Sequence, residues 1–304
     1  MTIRIAAALA ALVAFTAPAA AQVPPQIAER VRAQGKVIDR ALDPYYAPLF
    51  GPEAWAGVAI ERDLAYGEDP RHRLDVYVEK GRGQGLPVLL FVHGGGFVGG
   101  DKHGAFYPDN IALWAARSGM VGINLNYRLA PDNPFPAAAE DLAAALAWTR
   151  ANVARFGGDP DRIVLFGHSA GGNHVADYIG HPQVQGPEFA AVKGAVLLSP
   201  FYPQEGGGEP HAYYGADARL NSAAAAAERL RASPVPLFYG YAEYDPDPMQ
   251  DFARWLLPEL CRTPARCPAS VYLVDHNHLT EGMAVGTEDR SLAGPLLEWI
   301  EGLP

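Results

Sequence analysis

Short apolar runs alternate along this chain with longer segments in which apolar residues recur at helical spacing. The runs at 87–92, 162–166 and 192–199 carry few charges, which is typical of strands buried on both faces. Residues 74–78 instead alternate apolar and polar side chains, as a half-buried strand does. Because strands and helical segments follow one another, the pattern predicts an α/β fold with a mostly parallel central sheet and helices on both faces.

Two segments depart from this alternation. Residues 22–50 form an N-terminal arm that combines a helical pattern with several prolines and tyrosines, and residues 201–233 combine glycines, Tyr213, Tyr214 and an alanine run. Both segments are candidates for a small cap over a site, in which Tyr213 and Tyr214 would line an acyl pocket. The alternatives are a plain surface helix for the arm and an ordinary long connection for 201–233.

The first residues have the pattern of a secretory signal. Arg4 precedes an apolar run at 5–15, and small residues lead to an A-x-A cleavage site before Gln22. This pattern predicts a signal peptide at 1–21, export to the periplasm or the exterior, and a single mature domain at 22–304. The apolar run is too short to span a bilayer, so we expect no stable membrane anchor after cleavage.

Charge and cysteine content narrow the partners. The formal net charge is −10, which is a poor match for nucleic acid or anionic lipid and fits neutral small molecules better. Cys261 and Cys267 enclose a short loop, and export would favour a disulfide between them, with two buried free thiols as the alternative. Two cysteines without a nearby histidine cluster give a zinc site little support.

The strongest chemical signal is Gly-x-Ser-x-Gly at 167–171, where an apolar run passes into a helical segment. A strand, a sharp turn and a helix in this order form a nucleophile elbow, with Ser169 at its apex. The helix N-terminus would face Ser169, and the amide of Ala170 would be free to donate to an oxyanion. The alternative is an ordinary turn with an idle serine.

A second signal is the HGGGF sequence at 93–97, which directly follows a buried strand. Successive glycines leave backbone amides unshielded, as an oxyanion hole requires, whereas the alternative is a flexible turn. We interpret His93 as a structural hydrogen-bonding residue. The adjacent Glu140 and Asp141 point in different directions on a predicted helix, and we interpret them as cap charges or partners of Arg128.

A serine hydroxyl needs a base and an acid to become a nucleophile. After a nucleophile elbow the chain order is serine, acid, histidine, and of the nine histidines only His276 and His278 come late enough. We prefer His278 to His276. For the acid we prefer Asp245, in the loop after the strand at 235–240, and keep Asp247 as the alternative.

Four motifs together resemble the α/β-hydrolase fold: HGGGF at 93–97, YRLAP at 127–131, GHSAGG at 167–172 and AEYDP at 242–246. More narrowly, they resemble hormone-sensitive-lipase-like carboxylesterases and their arylformamidase-like relatives. The resemblance runs from about Leu74 to the C-terminus.

This resemblance implies a catalytic triad of Ser169, Asp245 and His278, with oxyanion-hole amides from Gly95, Gly96 and Ala170. It also implies a carboxylic ester hydrolase that acts on neutral, short-to-medium acyl or aryl esters and needs no metal or organic cofactor. The alternatives are an arylformamidase or amidase that uses the same residues, and a non-catalytic binding protein on a hydrolase scaffold. The sequence Leu-Thr-Glu after His278 is closer to the formamidase-like pattern than to the Gly-Phe of the lipase-like branch.

Overall fold

The computed structural model describes residues 23–202, 211–217 and 219–304. The predicted signal peptide at 1–21 and the glycines at 206–208 lie outside the described residues. Among the described residues, no helix is both long enough and apolar enough to cross a membrane.

One eight-stranded sheet runs through the molecule. Its strands are β1 (Val58–Ala65), β2 (Arg73–Glu79), β3 (Leu86–Val92), β4 (Val121–Leu125), β5 (Gly158–His168), β6 (Val192–Leu198), β7 (Leu237–Tyr244) and β8 (Ala269–Asn277). Their spatial order is β1-β2-β4-β3-β5-β6-β7-β8. Strand β2 is antiparallel to β1 and β4, and the other neighbours are parallel. The predicted mostly parallel sheet, opened by an antiparallel pair, is therefore confirmed.

Helices cover both faces of this sheet. They are α1 (Pro25–Gln34), α2 (Asp43–Tyr46), α3 (Pro52–Trp55), α4 (Asp109–Arg117), α5 (Ala137–Asn152), α6 (Ala170–Gly180), α7 (Ala223–Ala232), α8 (Asp247–Cys261), α9 (Thr280–Met283) and α10 (Ala293–Glu301). Neighbouring residues of β3 show the two layers, since Leu90 belongs to the apolar cluster that includes helices α5 to α8, and Leu89 to the cluster that includes α1, α4 and α10. A strand buried on both sides needs apolar residues at every position, which explains its continuous apolar run.

The candidate catalytic residues all follow the carboxyl ends of parallel strands. Residues 93–97 follow β3, Ser169 follows β5, Asp245 follows β7, and His278 follows β8. Because parallel strands end at the same edge of a sheet, these four segments meet there although they are far apart in sequence.

The N-terminal arm is tied to this edge by its first helix. At the end of β8, Asp275 forms an ion pair of 2.7 Å with Arg32, and the Asn277 amide donates to Gln34 Oε1 at 2.8 Å. Arg32 and Gln34 both belong to α1. The arm is therefore attached beside His278, where a cap would have to lie.

The predicted disulfide between Cys261 and Cys267 is present and joins the end of α8 to the start of β8. Strand β8 lies on the outer edge of the sheet and continues to Asn277, directly before His278.

Candidate active site

Ser169 occupies a strained turn between β5 and α6. Its φ is +55° and its ψ is −127°, a conformation that non-glycine residues rarely adopt. Its amide donates to Leu198 O at 2.8 Å, which fixes the turn to β6. A Cβ at Gly171 would overlap the carbonyl oxygen of Val92, and one at Gly167 would overlap that of Gly171. Both glycines are therefore required by close backbone contact, as the sequence pattern indicated.

The glycine loop after β3 presents free amides beside Ser169. Gly95 and Gly96 have φ values of +127° and +61°. The Gly95 carbonyl accepts from the amides of Val98 and Gly99 at 3.3 and 3.0 Å, which closes the loop on itself. The amides of Gly95, Gly96 and Ala170 donate to no described residue. All three residues line the same cavity as Ser169, so this arrangement can hold an anionic oxygen.

Asp245 and His278 form a buried pair. His278 Nδ1 lies 2.8 Å from Asp245 Oδ1, and the other carboxylate oxygen accepts from Ser199 Oγ at 2.6 Å and from the Ala242 amide at 2.7 Å. His278 Nε2 is buried and has no hydrogen-bond partner among the described residues. His278 and Ser169 line the same cavity. The unpaired Nε2 is therefore the ring nitrogen that could accept a proton from the serine hydroxyl.

The alternative residues lie elsewhere. His276 Nε2 is 3.0 Å from Asp289 Oδ2, and the residue is not part of the cavity wall. Asp247 pairs with Lys36, and its side chain is 73% exposed. The preferred residues Asp245 and His278 are thus the ones that the structure brings together.

The cavity over Ser169 has a volume of about 530 Å³. Its wall contains three residues of the N-terminal arm, Ile38, Asp39 and Arg40, so the arm takes part in covering Ser169. From the second segment, the wall contains Phe201 and His211. The remaining wall residues are His93, Gly94, Gly95, Gly96, Phe97, Gly100, Asp101, Tyr107, Pro108, His168, Ala170, Asn173, Met249, His278 and Leu279.

The prediction that Tyr213 and Tyr214 line the pocket is wrong. Both are buried behind the wall, where their rings pack against Phe97 at 5.5 and 5.6 Å. Tyr214 Oη also donates to Asp177 Oδ2 at 2.7 Å, on the helix that starts after Ser169. A tyrosine whose hydroxyl finds a buried carboxylate is stabilised inside, so these residues support the wall rather than form it.

His168 is a neighbour of His278 that sequence reasoning missed. Its Nε2 lies 2.7 Å from the carbonyl oxygen of His278, which can only accept, so Nε2 carries the proton. Its Nδ1 then accepts from Tyr107 Oη at 2.6 Å. Burial is the main cause that holds the pKa of His168 well below its usual range, and the charge of His278 is the second. The neutral His168 ring therefore supports the His278 loop through its hydrogen bond.

Glu281 was also missed. It lies in α9, is completely buried, and has Oε1 at 3.2 Å from His168 Nε2. The ligand atoms of His168, His278 and Glu281 lie within 4.8 Å of one another, a spacing that a metal ion can use. However, His278 Nδ1 and both His168 nitrogens already face hydrogen-bond partners. We therefore interpret the two histidines as hydrogen-bonded side chains rather than as free metal ligands.

A family profile, solved structures and curated sequences all agree with the fold described above. The chain has the α/β-hydrolase fold, and a sequence profile for that fold matches residues 89–237. A structure from work on two esterases of Rhizomucor miehei superposes with a TM-score of 0.67 and 22% identity, covering 92% of this chain and 97% of that one.

Curated sequences match more locally. Human bile salt-activated lipase is 34% identical over 163 residues, which are 48% of this chain and 22% of that protein. Probable carboxylesterase 6 of Arabidopsis thaliana is 41% identical over 128 residues, which are 40% of this chain and 37% of that protein. The chain thus spans well under half the length of these relatives.

His174 predicts how the wall responds to acid. It is buried among Phe97, Tyr127 and Tyr213, and neither ring nitrogen has a partner among the described residues. Burial lowers the pKa of His174 to about 3, with smaller contributions from the charges of His93 and His211.

Below pH 6.5 the unfolded chain takes up a proton at this histidine while the folded chain does not, so stability falls as the pH falls towards 3. We expect His174→Leu to reduce this loss, so that the variant gains about 2 kcal/mol relative to wild type between pH 7.5 and pH 5. Urea unfolding at several pH values measures the difference. A difference that does not change with pH would contradict the assignment.

Proposed function

We propose that this protein is a serine carboxylesterase with a triad of Ser169, His278 and Asp245. The observation that carries the proposal is the free, buried Nε2 of His278, whose other nitrogen lies 2.8 Å from Asp245, in the cavity that contains Ser169. A base oriented by a carboxylate beside a strained serine is the arrangement that acyl transfer requires. The names of the matched lipase, carboxylesterase and esterase relatives agree with it.

In this mechanism His278 Nε2 takes the proton of Ser169 Oγ as the oxygen attacks an ester carbonyl carbon. Asp245 keeps the proton of His278 on Nδ1 and stabilises the imidazolium that forms. The imidazolium protonates the alcohol oxygen, the alcohol leaves, and an acyl-enzyme remains on Ser169. Water then attacks the acyl carbon, His278 accepts its proton, and the acid is released as the serine recovers its proton.

The carbonyl oxygen becomes negative in both tetrahedral intermediates. The amides of Gly95, Gly96 and Ala170 would stabilise it, because none of them donates to a described residue and all three residues line the cavity. A donor of this kind contributes about 3 kcal/mol to the transition state. The hydrogen-bonded glycine loop and the first residue of α6 present these amides before substrate binds, so no reorganisation is needed during the reaction.

We propose neutral, short-to-medium acyl or aryl esters as substrates. A cavity of about 530 Å³ lined by Phe97, Phe201 and Met249 suits an apolar or aromatic group. Asp39, Asp101 and Arg40 lie in the same wall. Because Arg40 is paired with Asp43, the two carboxylates leave the wall with a net negative charge that disfavours anionic substrates. The net charge of −10 acts in the same direction.

The sharpest test of the triad compares His278 with His276, which lies near the end of β8. We expect Ser169→Ala and His278→Ala each to lower kcat/KM on p-nitrophenyl acetate by about 10³-fold or more, because they act as one unit. His276→Ala is the matched control: it is equally buried and also paired with a carboxylate, so it should lower the melting temperature while retaining most of the activity. The reverse result for the two histidines would refute the proposed base.

Substrate preference separates the ester and formamide alternatives. We expect p-nitrophenyl esters of short and medium acyl chains to give a higher kcat/KM than N-formylkynurenine. The reason is that p-nitrophenolate leaves more readily than an aryl amine, and the carboxylates of Asp39 and Asp101 disfavour the carboxylate of the formamide. The measurement is a panel of graded acyl lengths beside the formamide, with Ser169→Ala as the blank. A preference for the formamide would make the protein an arylformamidase. Failure of Ser169 to react with an organophosphate probe would favour a non-catalytic binding protein.

Export is part of the proposal. The pattern of residues 1–21 and the disulfide between Cys261 and Cys267 support maturation in the periplasm or outside the cell. We expect the protein recovered from a secreting bacterial host to begin at Gln22. N-terminal sequencing and cell fractionation measure this, and a chain that retains residues 1–21 in the cytoplasm would refute it.

A further inference from the structure

Glu281 is a buried carboxyl group that the proposed mechanism does not use. It lies three residues after His278 in α9 and has no exposed surface. Neither carboxyl oxygen completes a hydrogen bond with a described residue. The nearest polar hydrogen is on His168 Nε2, 3.2 Å from Oε1, and that nitrogen is directed at the carbonyl oxygen of His278.

Besides His278, which has a ring nitrogen within 4.8 Å of a Glu281 carboxyl oxygen, four groups face Glu281 and none carries a positive charge. His168 comes from β5, Tyr239 from β7, Tyr107 from the loop before α4, and Asp245 from the loop after β7. Burial holds the pKa of His168 well below its usual range and raises those of both tyrosines, so the histidine and the phenols are neutral. No lysine or arginine pairs with Glu281 among the described residues.

Two carboxyl groups therefore lie behind one histidine in very different surroundings. Asp245 is hydrogen-bonded to Ser199 Oγ, the Ala242 amide and His278 Nδ1, and these donors stabilise a negative charge. Glu281 completes no hydrogen bond with a described residue, because the one hydrogen of the nearby Ser199 hydroxyl is donated to Asp245. Burial raises the pKa of Glu281 well above its usual range and the charge of Asp245 raises it further, while the Ser199 hydroxyl acts in the opposite direction.

We propose that Glu281 is a positioning residue that remains an uncharged carboxylic acid, so that Asp245 carries the single negative charge behind His278. This inference rests on the proposed triad. A second buried carboxylate would stabilise the imidazolium and make His278 bind its proton more tightly, which would leave less free base for Ser169 at neutral pH. A neutral acid fills the space under the His278 loop without this effect. Environments that separate the charge states of two neighbouring carboxyls are a known device of active sites.

The first test measures folding and needs no substrate. Above pH 4.5 the unfolded chain loses the Glu281 proton while the folded chain keeps it, so wild-type stability falls as the pH rises towards the folded value. Glu281→Gln keeps the shape and removes this linkage. We expect the folding equilibrium constant of the variant, relative to wild type, to rise by up to about tenfold for each pH unit above 5.

Glu188→Gln is the matched control, since Glu188 is also buried but accepts hydrogen bonds from Tyr178 Oη and the Gly186 amide, remote from the cavity. A flat difference for Glu281→Gln, or the same trend in both variants, would overturn the proposal. If the variant does not fold, the infrared band of a protonated carboxyl in the Ser169→Ala protein gives a second measurement. We expect that band at pH 9, where Asp177, whose pKa burial raises to about 7, has lost its proton, and the absence of the band would overturn the proposal.

The second test measures the pH profile of kcat/KM. The acid limb reports the protonation of His278, and we expect it at the same pH in wild type and Glu281→Gln because neither carries a charge at position 281. A shift of the acid limb to lower pH in the variant would mean that Glu281 is ionised and would overturn the proposal.

If wild type has no esterase activity, the proposed function fails while the unfolding test still decides the charge state of Glu281.

Discussion

The structure depends on the close approach of two backbones at the carboxyl edge of the sheet. The first turn of α6 lies so near the end of β3 that a side chain at Gly171 would overlap the Val92 carbonyl. Ser169 lies between these two backbones in its strained conformation and lines the cavity. The close approach also places the glycine loop after β3 beside the serine, so one packing constraint brings the candidate nucleophile and the free amides together.

A second constraint is the cost of burying charge, which limits how many of the side chains around His278 can be ionised. Asp245 is surrounded by donors, whereas His168, Tyr107 and Tyr239 are neutral by burial. A low dielectric makes each remaining charge act strongly on its neighbours. The protonation of one buried carboxyl, Glu281, therefore bears on the basicity of His278.

The cavity has two walls of different origin. The arm approaches from the N-terminus and is held by Arg32 and Gln34 to the end of β8, beside His278. The opposite wall, with Phe201 and His211, is backed by an aromatic layer that Tyr214 ties to Asp177. The arm is attached beside His278, and the opposite wall is attached to α6, the helix that begins after Ser169. A change in either wall would therefore affect the candidate catalytic residues as well as the shape of the pocket.

The sequence alone determined the layered α/β fold, the turn at Ser169, the glycine loop at 93–97 and the cysteine pair, because each depends on local chemistry or on a periodicity that short segments carry. Chain order also narrowed the acid and base to few residues, but only the tertiary structure separated His278 from His276 by their partners, Asp245 and Asp289. No sequence pattern predicted three features: which arm residues line the cavity, the inward position of Tyr213, and the neutral surroundings of Glu281. They depend on which distant side chains meet and what those neighbours exclude, and no local spacing encodes such contacts.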